Sequence, residues 1–292
     1  MADIYLSTMA VGSITMENFA VLTRKLGIAG IELSSSLALS ARDFPKIREQ
    51  MPSGMRFLVH NYFPRPAEDF VLNLASLDTD VLGKSRAHCS NAIDFCSEIG
   101  SPFYSVHAGF ALNATPGDLG KELAHLERYS LVQAKTVFVN SLSSLCRQAQ
   151  AKGIRILVEN NVLAPFNLVH ERNEFLLGVT AEDLFEILTL VNMPNLGLLI
   201  DTGHLKVSAR SLGFSTDLFL RTLQPHIEAL HLSDNDGEND GNFAFDETVW
   251  FFKHLRDLKA KYLIIEVNSG AMADIPKAIA ALRGITVEKG LA

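Results

Sequence analysis

The chain has 292 residues, 48% of them hydrophobic and 20% charged, which is enough apolar material for a large core and too little charge for a disordered chain. Its formal net charge of −7 argues against nonspecific nucleic-acid binding, whose affinity comes largely from Lys and Arg neutralising phosphates. No window approaches the run of about 18 apolar residues that spans a bilayer, and no basic leader precedes an apolar stretch.

A soluble cytoplasmic protein with no membrane partner is therefore expected. Cys89, Cys96 and Cys146 lack C-x-x-C spacing and read as reduced, packed thiols.

In chain order, DIYLS reads as a first strand. Thr15 to Leu26 carries Phe19, Leu22 and Leu26 at helical spacing and is closed by Gly27. The second strand, GIAGIELSS, is followed by a short helix around Ala41 to Gln50 and a third strand, RFLVH (Arg56 to His60). A helix from Gly83 to Ile99 stops at Gly100, and the fourth strand, FYSVH (Phe103 to His107), begins at once.

Lys121 to Lys152 reads as one extended helix or two, ended by Gly153, and leads into the fifth strand, IRILVE (Ile154 to Glu159). Three strands complete the series: LGLLID (Leu196 to Asp201), IEALH (Ile227 to His231) and YLIIE (Tyr262 to Glu266). Helices are expected between and after them at Ala181 to Leu190, Ser215 to Leu223, Asp246 to Leu258 and Ala273 to Leu282.

Alternation of this kind implies parallel strands with right-handed crossovers, and eight units imply closure into a (β/α)8 or TIM barrel, one domain over residues 1–292. A doubly wound open sheet also alternates, but it would not gather the ends of strands three to eight around one point. The long loops, Asn61 to Leu82, Ala108 to Gly120, Asn160 to Val179 and Ser233 to Phe245, leave the C-terminal strand ends, where barrel function resides. The returns from helix to strand are short and marked by Gly27, Gly100 and Gly153.

Six strands end in one potential metal ligand each: His60, His107, Glu159, Asp201, His231 and Glu266. Any one alone would read as a hydrogen-bonded polar residue at a strand end. Together they need a common explanation, because a buried carboxylate or imidazole is costly unless paired or bound to a cation, and barrel strand ends converge. Carboxylates and imidazoles without thiolates suit Mn²⁺, Zn²⁺, Co²⁺ or Fe²⁺ in a catalytic site. One metal site is expected, and a second is open to His60 and His107 within reach of Glu159. Occupancy of that second site should fall below about pH 6.5, where ordinary imidazoles take up a proton.

The strings LVHNYFPRPAEDFVLNLAS, SVHAG, LVEN, LLIDTGH, HLSDNDG and IIEV resemble the xylose isomerase-like barrel superfamily, which includes sugar isomerases, ketose 3-epimerases and endonuclease IV. The resemblance runs over nearly the whole chain. Its strongest part is DTGH followed by an H-x-x-D segment and then a strand ending in Glu, all in order.

This resemblance implies that Glu159, Asp201, His231 and Glu266 hold one divalent cation and that His204, in the DTGH turn, lies beside the substrate. Likeness to endonuclease IV implies a second metal at His60 and His107. It also implies a third position at His204 and Asp240, where Asn242 stands in place of an imidazole. The sequence departs from the ketose 3-epimerases at Ser233 to Gly237, which lacks their substrate-binding arginine.

A metal that chelates a carbonyl and its neighbouring hydroxyl acidifies the C–H bond between them, and Glu159 and Glu266 would then act as the acid/base pair beside His204. In the other reading both glutamates are ligands only, and His204 or a metal-bound water moves the proton. The expected function is a metal-dependent isomerase or epimerase of a small carbohydrate, with a homo-oligomer as a compatible assembly. The alternative is an endonuclease IV-like phosphodiesterase acting on abasic DNA. A non-catalytic metal-binding module is disfavoured, since a structural site rarely needs six ligands on a closed barrel.

Glu32 ends the second strand, where it would contact substrate hydroxyls or form an ion pair. His88, His125 and His254 fall in expected helices and read as surface or packing residues. His170, Arg172, Phe63, Phe110 and Phe166 lie in mouth loops, where they would line a lid, stack on a sugar or simply pack.

Overall fold

The computed structural model describes residues 2–11, 16–28, 30–36, 41–50 and 53–288. Thr15, Ala29 and the last four residues of the expected domain lie outside them. The strands are β1 (Asp3–Ser7), β2 (Gly30–Leu33), β3 (Arg56–His60), β4 (Phe103–His107), β5 (Arg155–Glu159), β6 (Leu196–Asp201), β7 (Ile227–Leu232) and β8 (Tyr262–Ile265). Each pairs in parallel with the next, and β1 pairs with β8, so the sheet closes into the single TIM barrel that the alternation predicts. The helices are α1 (Met16–Leu26), α2 (Phe44–Gln50), α3 (Thr79–Ile99), α4 (Leu131–Ala151), α5 (Ala181–Val191), α6 (Thr202–Leu212), α7 (Thr216–Leu223) and α8 (Ile275–Glu288).

The period-2 alternation of the strands sorts the core into two layers. Tyr5, Leu58, Phe103, Leu157, Leu199, Ala229 and Ile264 fill the barrel lumen as a cluster of their own. Residues of the other parity, among them Leu6, Ile31, Val59, Tyr104, Val158, Ile200 and Leu230, pack outward into the large core shared with the helices. Two positions beyond Leu58, Leu157, Leu199, Ala229 and Ile264 stand His60, Glu159, Asp201, His231 and Glu266. The alternation that fills the lumen therefore also delivers these side chains to its upper rim. In β2 the lumen position is Gly30, where a Cβ would lie 2.2 Å from the Tyr5 ring, and Glu32 is the next inward residue above it.

The opposite, N-terminal end is closed by ion pairs. Arg56 pairs with Asp3 and lies over the Tyr5 ring, 5.4 Å from its centroid. Arg155 donates from Nε to Glu228 Oε1 at 2.7 Å and from Nη1 to the Pro194 carbonyl at 3.0 Å, while Lys261 stands 3.5 Å from the same carboxylate. Gly197 makes room for this pair, since a Cβ there would meet Glu228 Oε1 at 2.4 Å. Gly27, Gly100 and Gly153 return the chain to the strands with φ of 60°, 77° and 70°, the left-handed values that favour glycine.

Several expected helix boundaries are corrected. The run Lys121 to Lys152 is helical only over α4, because the segment before it gives its backbone groups to neighbouring loops. The Tyr129 amide donates to the Ala111 carbonyl at 3.0 Å and the Leu123 amide to Asn167 Oδ1 at 2.7 Å. Ser130 then caps α4, and His125 lies in a loop.

Asp246 to Leu258 forms turns and one 3-10 turn, Phe252–His254, in place of an α-helix. Asp246 Oδ1 holds the Thr248 amide at 2.9 Å in a tight turn, and the β-branched and aromatic run Thr248 to Phe252 has low helix propensity. The helix α3 starts earlier than Gly83, because Asp78 Oδ1 accepts from the amides of Asp80 and Val81 at 2.9 and 3.1 Å. His88, on α3, packs against Tyr62 and meets the Asn61 carbonyl at 3.1 Å.

A candidate metal centre at the barrel mouth

His231 is the hub of the mouth. Its Nδ1 lies 2.7 Å from Glu266 Oε2, 3.0 Å from Glu159 Oε1 and 3.8 Å from Asp201 Oδ2. All four side chains are buried, and one donor atom of each lies within 4.8 Å of the others. Glu159 also faces a second cluster. Its Oε2 is 3.6 Å from His60 Nε2 and 3.4 Å from His107 Nε2, so the two carboxylate oxygens serve adjoining groups. The structure thus brings the six residues together in two adjoining groups that share Glu159.

Neighbouring polar groups fix these side chains. Asn160 clamps the end of β6, accepting from the Asp201 amide at 2.8 Å and donating to the Asp201 carbonyl at 3.2 Å. Asp201 Oδ1 caps the unexpected helix α6 by accepting from the His204 amide at 2.7 Å, which leaves Oδ2 for the mouth. His60 Nδ1 meets Ser105 Oγ at 3.0 Å, and this turns Nε2 toward Glu159.

The sequence alone assigns no role to Asn160 or Ser105. Ser105 carries a usable signal, a polar residue on the lumen-facing parity of an apolar strand. The N-cap pattern at Asp201, an Asp before the apolar positions Leu205 and Val207, likewise marks the start of α6.

The remaining expected site residues divide. His204 and Asp240 come together, with His204 Nε2 3.2 Å from Asp240 Oδ2 and Nδ1 2.8 Å from the Asn160 carbonyl. Asn242 sits close by, but its Oδ1 accepts from Ser233 Oγ at 3.2 Å. Glu32 is fully buried and meets His231 Nε2 at 2.9 Å, so of its two expected roles the geometry presents the ion pair and not an open contact for substrate hydroxyls. Phe166 is exposed, Phe63 is buried and Phe110 is partly buried.

The electrostatics are those of a site short of positive charge. Burial pushes the Asp201 carboxyl up to about 7, against the opposing field of His204. Burial also acts on Glu159, but the fields of His107, His231 and His60 outweigh it and hold that carboxyl well below its ordinary value. Glu266 is lowered in the same way, chiefly by His231. Burial disfavours charge on His231, yet Glu266, Glu32 and Glu159 together raise its pKa well above the ordinary imidazole value. His204 is raised by Asp201 and Asp240 against its own burial.

His107 goes the other way: burial lowers it to about 4 despite Glu159.

Glu32 Oε1, Glu159 Oε2 and Asp201 Oδ2 are buried without a hydrogen-bond partner. Such orphaned oxygens are costly, and at the mouth they leave negative charge that a divalent cation would offset. The oxygen and nitrogen donor set, without sulfur, fits a borderline divalent metal at Glu159, Asp201, His231 and Glu266.

A closed eight-stranded β/α barrel with a buried carboxylate–imidazole cluster at its C-terminal mouth defines the class of this protein. Residues 21–285 match the model of the xylose isomerase-like TIM barrel family, and the chain belongs to that family. No protein of curated function matches it by sequence.

Among solved structures, it resembles a D-tagatose 3-epimerase-like protein at 21% identity, with a TM-score of 0.71 over 99% of this chain and 100% of that one. It resembles L-ribulose 3-epimerase at 17% identity, with a TM-score of 0.68 over 99% of this chain and 95% of the other. A protein from Thermus thermophilus, soaked with ZnCl2, is similar at 21% identity and a TM-score of 0.66 over 98% of each chain. At these identities the likeness establishes the fold. Among the described residues, no helix is long and apolar enough to cross a membrane.

Proposed function

We propose that this protein is a metal-dependent isomerase or epimerase of a small sugar or a related hydroxy-carbonyl compound. The observation that carries the reading is the approach of Glu159 and Glu266, from β5 and β8, to the same His231 nitrogen at 3.0 and 2.7 Å, with Asp201 completing the cluster. The epimerases among its structural neighbours support the same class. Glu159, Asp201, His231 and Glu266 would hold the cation, of the kind Mn²⁺, Zn²⁺, Co²⁺ or Fe²⁺. When bound there, it would acidify the C–H bond beside a chelated carbonyl and stabilise the enediolate.

The chain's own residues supply the proton transfers. Glu159 and Glu266 are both held below the ordinary carboxylate range, so both are ionised at neutral pH and able to accept a proton. One takes the proton from one face of the substrate carbon, and the other returns one to the opposite face. His204, fixed between Asn160 and Asp240 and 3.9 Å from Glu159, orients a substrate oxygen. Burial of the cluster excludes the water that would compete for these protons.

A second reading, a metal-dependent phosphodiesterase of the endonuclease IV kind on abasic DNA, is favoured by one observation: His60 and His107 converge on Glu159 and would hold a second, weaker cation. It ranks lower. The acidic chain is poorly suited to a polyanion, and Asn242, which stands in place of an imidazole at the third position, accepts at Oδ1 from Ser233 Oγ.

The test is incubation with a panel of ketoses and aldoses in deuterated water. Metal-dependent deuterium uptake at the carbon next to the carbonyl is expected, and Glu266→Gln should abolish it. Efficient nicking of an abasic duplex, with no uptake in any sugar, would reverse the ranking.

A further inference from the structure

The carboxylate of Glu32 stands outside the group of Glu159, Asp201, His231 and Glu266 and outside the proposed proton transfers, yet it lies completely buried against the hub of the cluster. Its Oε2 is 2.9 Å from His231 Nε2, its Oε1 has no partner, and no Lys or Arg pairs with it among the described residues. The two nitrogens of His231 face different company. Nδ1 looks toward Glu266, Glu159 and Asp201, whereas Nε2 looks toward Glu32.

A ring nitrogen that binds a cation must present a lone pair, so the single proton of a neutral imidazole then belongs on the other nitrogen. Here that other nitrogen is Nε2, and a carboxylate oxygen of Glu32 already stands 2.9 Å away, at hydrogen-bond distance to accept from it. The backbone accommodates the arrangement. Glu32 lies on the lumen face of β2, in register with Ser7 and Leu58, and the glycine at position 30 below it leaves room for the Tyr5 ring.

From this geometry we infer that Glu32 is a positioning residue. It holds the Nε2–H of His231, fixes the ring with Nδ1 directed at the cation, and raises the electron-donating power of that nitrogen. The inference rests on the proposed metal site and assigns Glu32 neither to substrate nor to the ligand set. Direct ligation by Glu32 together with His60 and His231, whose donor atoms also lie within 4.8 Å of one another, is the competing arrangement. It would require Nε2 to lose its proton and Nδ1 to carry one, leaving Glu159, Glu266 and Asp201 without their shared ligand nitrogen.

The experiment measures zinc affinity by chelator competition for the full-length wild type, Glu32→Gln and Glu32→Ala. It is combined with ¹⁵N–¹H imidazole spectra of the zinc-loaded wild type and Glu32→Gln. Removal of such an outer partner should weaken zinc binding by about 10- to 100-fold in Glu32→Ala. Glu32→Gln, whose amide oxygen still accepts the bond, should lose less. The loaded wild type should show His231 with Nε2 protonated, its proton far downfield, and that signal should move upfield in Glu32→Gln.

Equal zinc affinity in all three proteins, or a loaded wild type with metal on Nε2, overturns the inference. If Glu32→Ala does not fold, Glu32→Gln decides alone: an unchanged proton shift with unchanged affinity overturns the inference. A wild type that takes up no zinc overturns the metal site itself and this inference with it, whereas a zinc-binding wild type matched by its variants removes this inference only.

Discussion

The two ends of the barrel handle charge in opposite ways. At the N-terminal end each carboxylate meets a permanent cation: Asp3 meets Arg56, and Glu228 meets Arg155 and Lys261. At the C-terminal mouth Glu32, Glu159, Asp201 and Glu266 meet imidazoles, and three of their oxygens accept no hydrogen bond. A guanidinium keeps its charge at any pH a protein experiences, so the lower end is neutralised once and for all. An imidazole can surrender its proton and then bind a metal, so charge at the mouth is exchangeable. The difference separates side chains that hold the barrel together from side chains proposed to hold a cation.

Substitution at each end should therefore break a different property. The largest effect is expected for Asp201→Ala, which should abolish stoichiometric metal binding while the barrel stays folded; metal analysis after gel filtration checks both. Loss of the α6 cap should cost about 0.5–2 kcal/mol. Asp201→Asn keeps a capping oxygen and separates that cost from the loss of metal. Stoichiometric metal in purified Asp201→Ala would sink the ligand assignment.

The converse change, Arg155→Ala, should lower unfolding stability by about 1–3 kcal/mol, because Glu228 Oε1 and the Pro194 carbonyl lose the donor that Arg155 supplies. Urea unfolding would measure it, and metal binding should be unaltered. A stability change of the same size with loss of metal would mean that the two ends are not separable.

A smaller effect follows from pH. In the metal-free protein Asp201, raised to about 7, and His204 and His231, raised above the ordinary imidazole range, all bind protons more tightly folded than unfolded. Their contribution is complete below the unfolded pKa values and is lost as pH rises through the folded ones. Asp201 loses its share by about pH 7, and above about pH 6.5 the Tm of metal-free protein should keep falling as the two histidines titrate; saturating zinc should flatten the trend over that interval. A Tm that rises over that interval without metal would show that the mouth does not bind excess protons in the folded state.

The sequence made the barrel and its rim legible because both depend on local, periodic signals. Apolar strands that each stop on His, Asp or Glu announce their register, since His60, Glu159, Asp201, His231 and Glu266 share parity with the lumen residues Leu58, Leu157, Leu199, Ala229 and Ile264. Boundaries that depend on distant partners were not legible. Helical spacing before Ser130 yields to the contacts of Leu123 with Asn167 and Tyr129 with Ala111 across the mouth loops. The helix expected after β7 yields to a turn held by Asp246.

The supporting partners were hidden for the same reason. Nothing local in LVEN tells that Asn160 will grip the backbone of Asp201, and nothing in GIEL tells that Glu32 will reach His231 from β2 to β7. The lowering of the His107 pKa likewise comes from its surroundings in the barrel mouth, which FYSVH alone does not show.

The central claim is that Glu159, Asp201, His231 and Glu266 share a divalent cation. Anomalous diffraction at the zinc edge, from crystals of the full chain grown with zinc, tests it most directly. The account predicts a strong peak bounded by His231 Nδ1 and the three carboxylates, with a weaker one between His60, His107 and Glu159. A map with no peak at the mouth, or with zinc only on surface carboxylates, would contradict it.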